Sequence, residues 1–66
     1  MKVVVNGAVR EVPAGFTADD AVRLITQNAQ GVAVAVNDDV VARSRWRSTT
    51  LSDGDLVEVL TAVQGG

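Results

Sequence analysis

Four stretches of the chain carry residue types that could do chemistry, and the terminal one has the fewest ordinary explanations. The sequence ends Thr61-Ala62-Val63-Gln64-Gly65-Gly66. At average glycine usage a terminal pair arises by chance with a frequency of only about 0.5%, so the tail is read first. Asp53-Gly54-Asp55 and Asp38-Asp39 are carboxylate pairs of the kind that can hold magnesium. Hard-cation sites need more ligands than these supply, and Asp is favoured in turns because it bonds its own backbone. They are read as turn residues, with no metal site. Arg43, Arg45, Trp46 and Arg47 form a basic cluster around an aromatic, which could neutralise and stack nucleic acid or meet an acidic partner. In an acidic chain the expected outcome is a solvated loop with Trp46 packed on the core. The chain has no His, Cys or Tyr, so general acid–base and nucleophilic catalysis have almost nothing to work with. An enzyme in its own right is not expected.

Sixty-six residues make one domain, near the lower limit for a single core. Without cysteine there is no disulfide or thiolate metal site to staple it. Stability must come from packing, for which a 47% hydrophobic content suffices. A net charge of −2 gives no general attraction to nucleic acid or anionic membranes. No apolar run approaches the ~20 residues needed to span a bilayer, and the first residues lack a signal-peptide pattern. A cytoplasmic, soluble protein is expected.

The elements that must carry the tail follow from local signals. In Lys2–Val12, Asn6-Gly7 suits a two-residue hairpin turn with β-branched flanks. That turn sets Val4 opposite Val9 and Lys2 opposite Glu11, and leaves Arg10 on the face of Val3, Val5 and Val12. Either its stem covers the sheet edge with its head in water, or the turn is one residue longer and the register shifts. Pro13 and Gly15 break the strand. Thr17 is an N-cap, with Asp20 completing a capping-box variant and Phe16 and Ala21 in the staple positions. Ala18, Ala21, Val22, Ile25 and Ala29 share one helical face, and Gly31 is the expected stop. Val32–Val36, a turn at Asn37-Asp38-Asp39 and a short following strand come next. Arg43–Thr50 reads as irregular. Asp53-Gly54 then turns into a final strand on which Val57 and Val59 face one way and Leu60 the other.

The order β-β-α-β-β-β in so short a chain predicts an α+β fold. One mixed sheet of four or five strands carries the helix across one face, with the last strand beside the first. This is a β-grasp. The expected core is Val3, Val5, Val22, Ile25, Val34, Val36, Val57 and Val59. Residues 1–66 form one domain, with a flexible tail from about residue 63.

Together, the element order, the stretch from Ala35 to Trp46, the Leu51–Val59 segment and the terminal Gly65-Gly66 resemble the ubiquitin-like sulfur carriers, and among them the carriers of thiamine biosynthesis. The resemblance covers the whole chain. It implies that an E1-like adenylating enzyme uses ATP and magnesium to activate the Gly66 carboxylate. A sulfur-donating enzyme then supplies the atom that makes a thiocarboxylate, which a thiazole synthase consumes. The carrier itself holds no cofactor and is a monomer when free. Gly65 and Gly66 suit that chemistry, since neither has a Cβ to obstruct attack on the acyl carbon or to limit φ in a narrow channel. The resemblance also implies a docking surface, for which the outward residues Leu56, Leu60 and Ala62 are the candidates. Carriers for molybdopterin or cysteine pathways, a ubiquitin-like modifier joined to lysine through Gly66, and a plain β-grasp binding module remain alternatives.

Overall fold

Both hairpins are closed by two residues held at positive φ. In the computed structural model, which describes residues 1–61, Asn6 and Gly7 take φ of 50° and 82°, and Asn37 and Asp38 take 50° and 71°. Positive φ at both central positions is the type I′ requirement, whose twist matches that of the flanking strands. The first turn joins β1 (Lys2–Val5) to β2 (Ala8–Glu11), with Val4 opposite Val9 and Lys2 opposite Glu11 as the turn demands. The second joins β3 (Ala33–Val36) to β4 (Asp39–Val41). Arg10 lies opposite Val3 yet is exposed. Because β2 is an edge strand, its side chain can reach water from beside the core.

The helix α1 (Ala18–Ile25) starts where the capping signals place it. The Asp20 amide donates to Thr17 Oγ1 at 3.2 Å, and the Thr17 amide donates to Asp20 Oδ2 at 2.9 Å. Replacing Thr17 by Ala should therefore cost about 1 kcal/mol, read as a lower urea midpoint at unchanged m-value. The C-terminus departs from expectation. The helix ends at Ile25 with Thr26 as C-cap, not at Gly31. Thr26 Oγ1 accepts from the Asn28 amide at 3.1 Å, and Asn28 Oδ1 accepts from the Gln30 amide at 3.0 Å. These side chains offer the backbone turns that compete with helix. Ala29 thus lies outside the helix, half-buried against the core.

The stretch read as irregular is a 3-10 helix, Arg43–Ser48. It is tied off by Ser48 and Thr49 hydroxyls donating to the Arg45 carbonyl at 3.2 and 2.8 Å. Trp46 turns inward, 2% exposed, and its Nε1 donates to the Val41 carbonyl at 3.0 Å. At the Asp53-Gly54-Asp55 turn the carboxylates accept backbone amides: Lys2 to Asp53 Oδ1 and Ser52 to Asp55 Oδ2, each at 2.7 Å.

The last strand, β5 (Leu56–Leu60), runs parallel to β1 and antiparallel to β3, giving the order β2-β1-β5-β3-β4. With α1 on one face, this is the expected β-grasp. The core contains Val3, Val5, Val22, Val34, Val57 and Val59 as expected, together with Val12, Ala18, Ala21, Trp46 and Leu51. Ile25 and Val36 correct the expectation, since both are only half-buried at its margin. Ile25 is the last helical residue and Val36 abuts a turn, so neither is enclosed on all sides. Ile25→Ala should fall at or below the low end of the ~2–5 kcal/mol range for such truncations.

Candidate functional site: the open sheet face and the strand that leads to the tail

The site is built on β5 because β5 is the central strand and the tail continues from it. Strand alternation sends Val57 and Val59 into the core, at 1% and 3% exposure, and turns Leu56, Glu58 and Leu60 to the other side. Among the described residues no helix covers that side, and Leu56 and Leu60 remain 56% and 65% exposed. Alternation in the sequence marks both as outward, and both lie on the open face. Ala62, Gly65 and Gly66 lie outside the described residues.

The sheet brings further apolar residues beside them. Val4 lies opposite Leu56 on one flank and opposite Val9 on the other. Ala33 pairs with Leu60, and Ala35 lies between Glu58 and Val40. Val9 and Val40 are 66% and 80% exposed. An apolar face with Glu58 near its middle results, broader than the strip read from one strand. A shallow hollow of about 290 Å³ sits within it, lined by Val4, Gly7, Ala35, Asp38, Leu56 and Glu58. Alternation in each strand marks Val4, Val9 and Val40 as outward. Only the strand order shows that they adjoin Leu56 and Leu60.

Two turn asparagines fix β5 in place. The Asn6 amide donates to the Val57 carbonyl at 2.9 Å. One step further, its side chain takes over the ladder where β1 has ended: Asn6 Oδ1 accepts from the Val59 amide at 2.7 Å, and Nδ2 donates to the Val59 carbonyl at 3.1 Å. Asn37 holds the other end, its Oδ1 accepting from the Leu56 amide and its Nδ2 donating to Asp55 Oδ1, both at 3.0 Å. The strand is thus pinned at both ends, and the segment that follows starts from a defined point. Replacing Asn6 by Ala should leave the Val59 groups short of partners and cost about 1–3 kcal/mol. Amide hydrogen exchange should quicken most at Val59.

The basic cluster is elsewhere. Arg43, Arg45 and Arg47 lie on the 3-10 helix, which packs against α1 on the covered side of the sheet. With Trp46 almost fully buried, the cluster has no exposed aromatic on which a base could stack. Among the described residues there is no group of three or more carboxylates, His or Cys able to hold a metal ion, and no helix long and apolar enough to cross a membrane.

Comparison with known proteins addresses the same features over the whole chain. The sulfur carrier protein ThiS of Escherichia coli is 27% identical over 66 residues, covering all of both chains. A thiazole synthase of Paramagnetospirillum magneticum is 30% identical over 66 residues, all of this chain but 20% of that protein. Among solved structures, the crystal structure of the thiamine biosynthesis protein ThiS from Geobacter metallireducens covers both chains completely, with a TM-score of 0.76 and 32% identity. Its solution structure gives a TM-score of 0.72 at 32% identity, covering this chain and 88% of the other. The profile of the ThiS family matches residues 3–66, a span that takes in every element of the sheet and the terminal glycines: the chain belongs to the ThiS family.

Proposed function

We propose that this chain is the sulfur carrier of thiazole formation in thiamine biosynthesis, a protein cosubstrate working in the cytoplasm and monomeric when free. The observation that carries this reading is the pair of whole-chain matches, one to a sulfur carrier and one to a stretch within a thiazole synthase. The second favours the thiamine pathway over the other sulfur-transfer routes.

The chemistry proposed for the tail addresses the weakness of a carboxylate as an electrophile. An oxygen of the Gly66 carboxylate attacks the α-phosphorus of ATP in an E1-like partner, and pyrophosphate leaves. Magnesium, held by that partner, offsets phosphate charge. Hydrosulfide, supplied by a sulfur-donating enzyme, then displaces AMP from the acyl carbon and loses its proton, and the resulting thiocarboxylate passes its sulfur to a thiazole synthase. The open sheet face would supply docking affinity to offset the entropy lost when the tail is ordered in an active site.

The test is mass spectrometry of the protein after incubation with an adenylating enzyme of this family, ATP, magnesium and a sulfur donor. The expected product carries one oxygen-to-sulfur exchange at Gly66. A covalent adduct on a target lysine instead would establish the modifier reading. Docking is tested by Leu60→Asp. Its side chain is 65% exposed, so circular dichroism should be unchanged, while binding to the adenylating enzyme and to thiazole synthase should weaken by more than about 1 kcal/mol. Unchanged binding would remove Leu60 from the interface.

A further inference from the structure

A groove of about 570 Å³ lies on the opposite side of the sheet from Leu56 and Leu60, between α1 and the 3-10 helix. Val22 and Trp46, both all but buried, form its floor, and Arg23, Arg43 and Arg47 stand around it. Nothing in the tail chemistry uses these residues.

The charge of this groove is opposite to that of the molecule. Arg23, Arg43 and Arg47 on its wall are three of the six cationic residues in a chain of net charge −2. Six of the eight carboxylates (Glu11, Asp38, Asp39, Asp53, Asp55 and Glu58) lie on the strands and the turns around them. The one carboxylate on the groove wall, Asp19, is engaged by Arg23 at 3.2 Å. Among the described residues that is the only ion pair, so Arg43 and Arg47 face no acidic partner within 4.0 Å. The Arg43 guanidinium lies 5.9 Å from the Trp46 ring centroid, within the range of cation–π attraction. Attraction of this kind restrains the side chain at the rim and lowers the entropy it loses on binding.

We infer that this groove is a second docking site, taking an acidic segment of a partner protein that sets carboxylates against Arg43 and Arg47. Guanidinium groups bind carboxylates through paired N–H donors. Nucleic acid fits less well, since it needs aromatic faces for stacking and Trp46 is only 2% exposed. The position of the groove gives the site a use. Thr26, Gln27 and Ala29 on its wall belong to the loop that runs into Ala33, and Ala33 pairs with Leu60, the last residue of β5. A partner held here grips the end of the molecule from which the tail departs and leaves the open sheet face free. One carrier could then hold two proteins together.

The test uses the isotopically labelled full chain and a short synthetic peptide of repeating Glu-Asp-Leu, followed by NMR. The Trp46 indole N–H and the amides of Val22, Thr26 and Arg43 should shift, with an affinity that falls steeply as salt is raised. Arg47→Glu, which among the described residues breaks no side-chain hydrogen bond or ion pair, should weaken binding about tenfold, and Arg43→Glu with Arg47→Glu further. Leu60→Asp should leave peptide binding unchanged, which separates this site from the open face. Thiocarboxylate formation is measured separately, so a failure here says nothing about the tail. Absence of shifts at the groove overturns the inference. So does undiminished binding to folded Arg47→Glu, or an equal response to a short oligothymidylate.

Discussion

A chain lacking Gly66 is expected to form no thiocarboxylate, while its urea midpoint stays that of the parent. The truncated chain still ends in a glycine carboxylate, that of Gly65. The functional group is therefore unchanged, and what is lost is reach, about 3.3–3.6 Å for one extended residue. Stability should be unaffected, because Gly66 follows Leu60, the last residue of β5, by six positions in sequence, and the last few residues of a domain seldom hold it together. Gly66→Val examines the other requirement. Its length and carboxylate are those of the parent, but a β-branched side chain crowds the acyl carbon and restricts the adjoining dihedrals. A displacement of ångström scale at a reacting atom can cost about a hundredfold in rate, and a loss of that order is expected here. Gly65→Ala should fall between, slowing activation without preventing it. A parental rate in Gly66→Val would show that the terminal glycine does not serve access.

The largest loss of stability is expected from Trp46→Ala. Truncating a buried aromatic costs about 3–5 kcal/mol, and this one is 2% exposed between α1 and the sheet. A chain of this length holds about 3–10 kcal/mol in total, so the variant should be unfolded or nearly so at moderate temperature. Trp46→Phe separates volume from hydrogen bonding. It retains part of the ring but loses the donor to the Val41 carbonyl, and should cost less than the alanine variant yet at least the ~1–3 kcal/mol of an unsatisfied buried group. Far-UV circular dichroism in urea reads both, since the only tryptophan is removed. A cost below about 1 kcal/mol for Trp46→Ala would be the scale of an ordinary surface change, and would contradict its place in the core.

Elements whose signals are local were legible in the sequence. Asn6-Gly7 marks the hairpin turn, while the register it leaves open is decided by packing. Thr17 and Asp20 mark the helix start, and alternation in β5 marks Leu56 and Leu60 as outward. Features settled by competition or by distant partners were less so. The helix face continues through Ala29, yet Thr26 and Asn28 recapture the backbone with their side chains four residues earlier. Arg43–Ser48 has no apolar period, because a single inward residue, Trp46, anchors the turn. Leu51 stands among polar neighbours and is buried by packing that no local pattern records. At the candidate site, one strand could reveal one strip. The width of the open face depends on which strands are neighbours, and the groove beside Arg43 exists only because two segments some twenty residues apart pack together.

The strand order also governs when the fold can form. Among the described residues β5 is the last strand to be synthesised, yet it alone joins the ladders of the two hairpins, β1–β2 on one side and β3–β4 on the other. Until residue 60 is available, those hairpins share no ladder, and a two-stranded hairpin alone is marginal in water. At about 5–20 residues per second, the earlier strands wait for seconds with their edges unpaired. Folding then depends on closing the contact between the first strand and the last, the most distant in the chain and the slowest class to form. The residues flanking that final strand, Asn6 and Asn37, are the ones whose amides receive it.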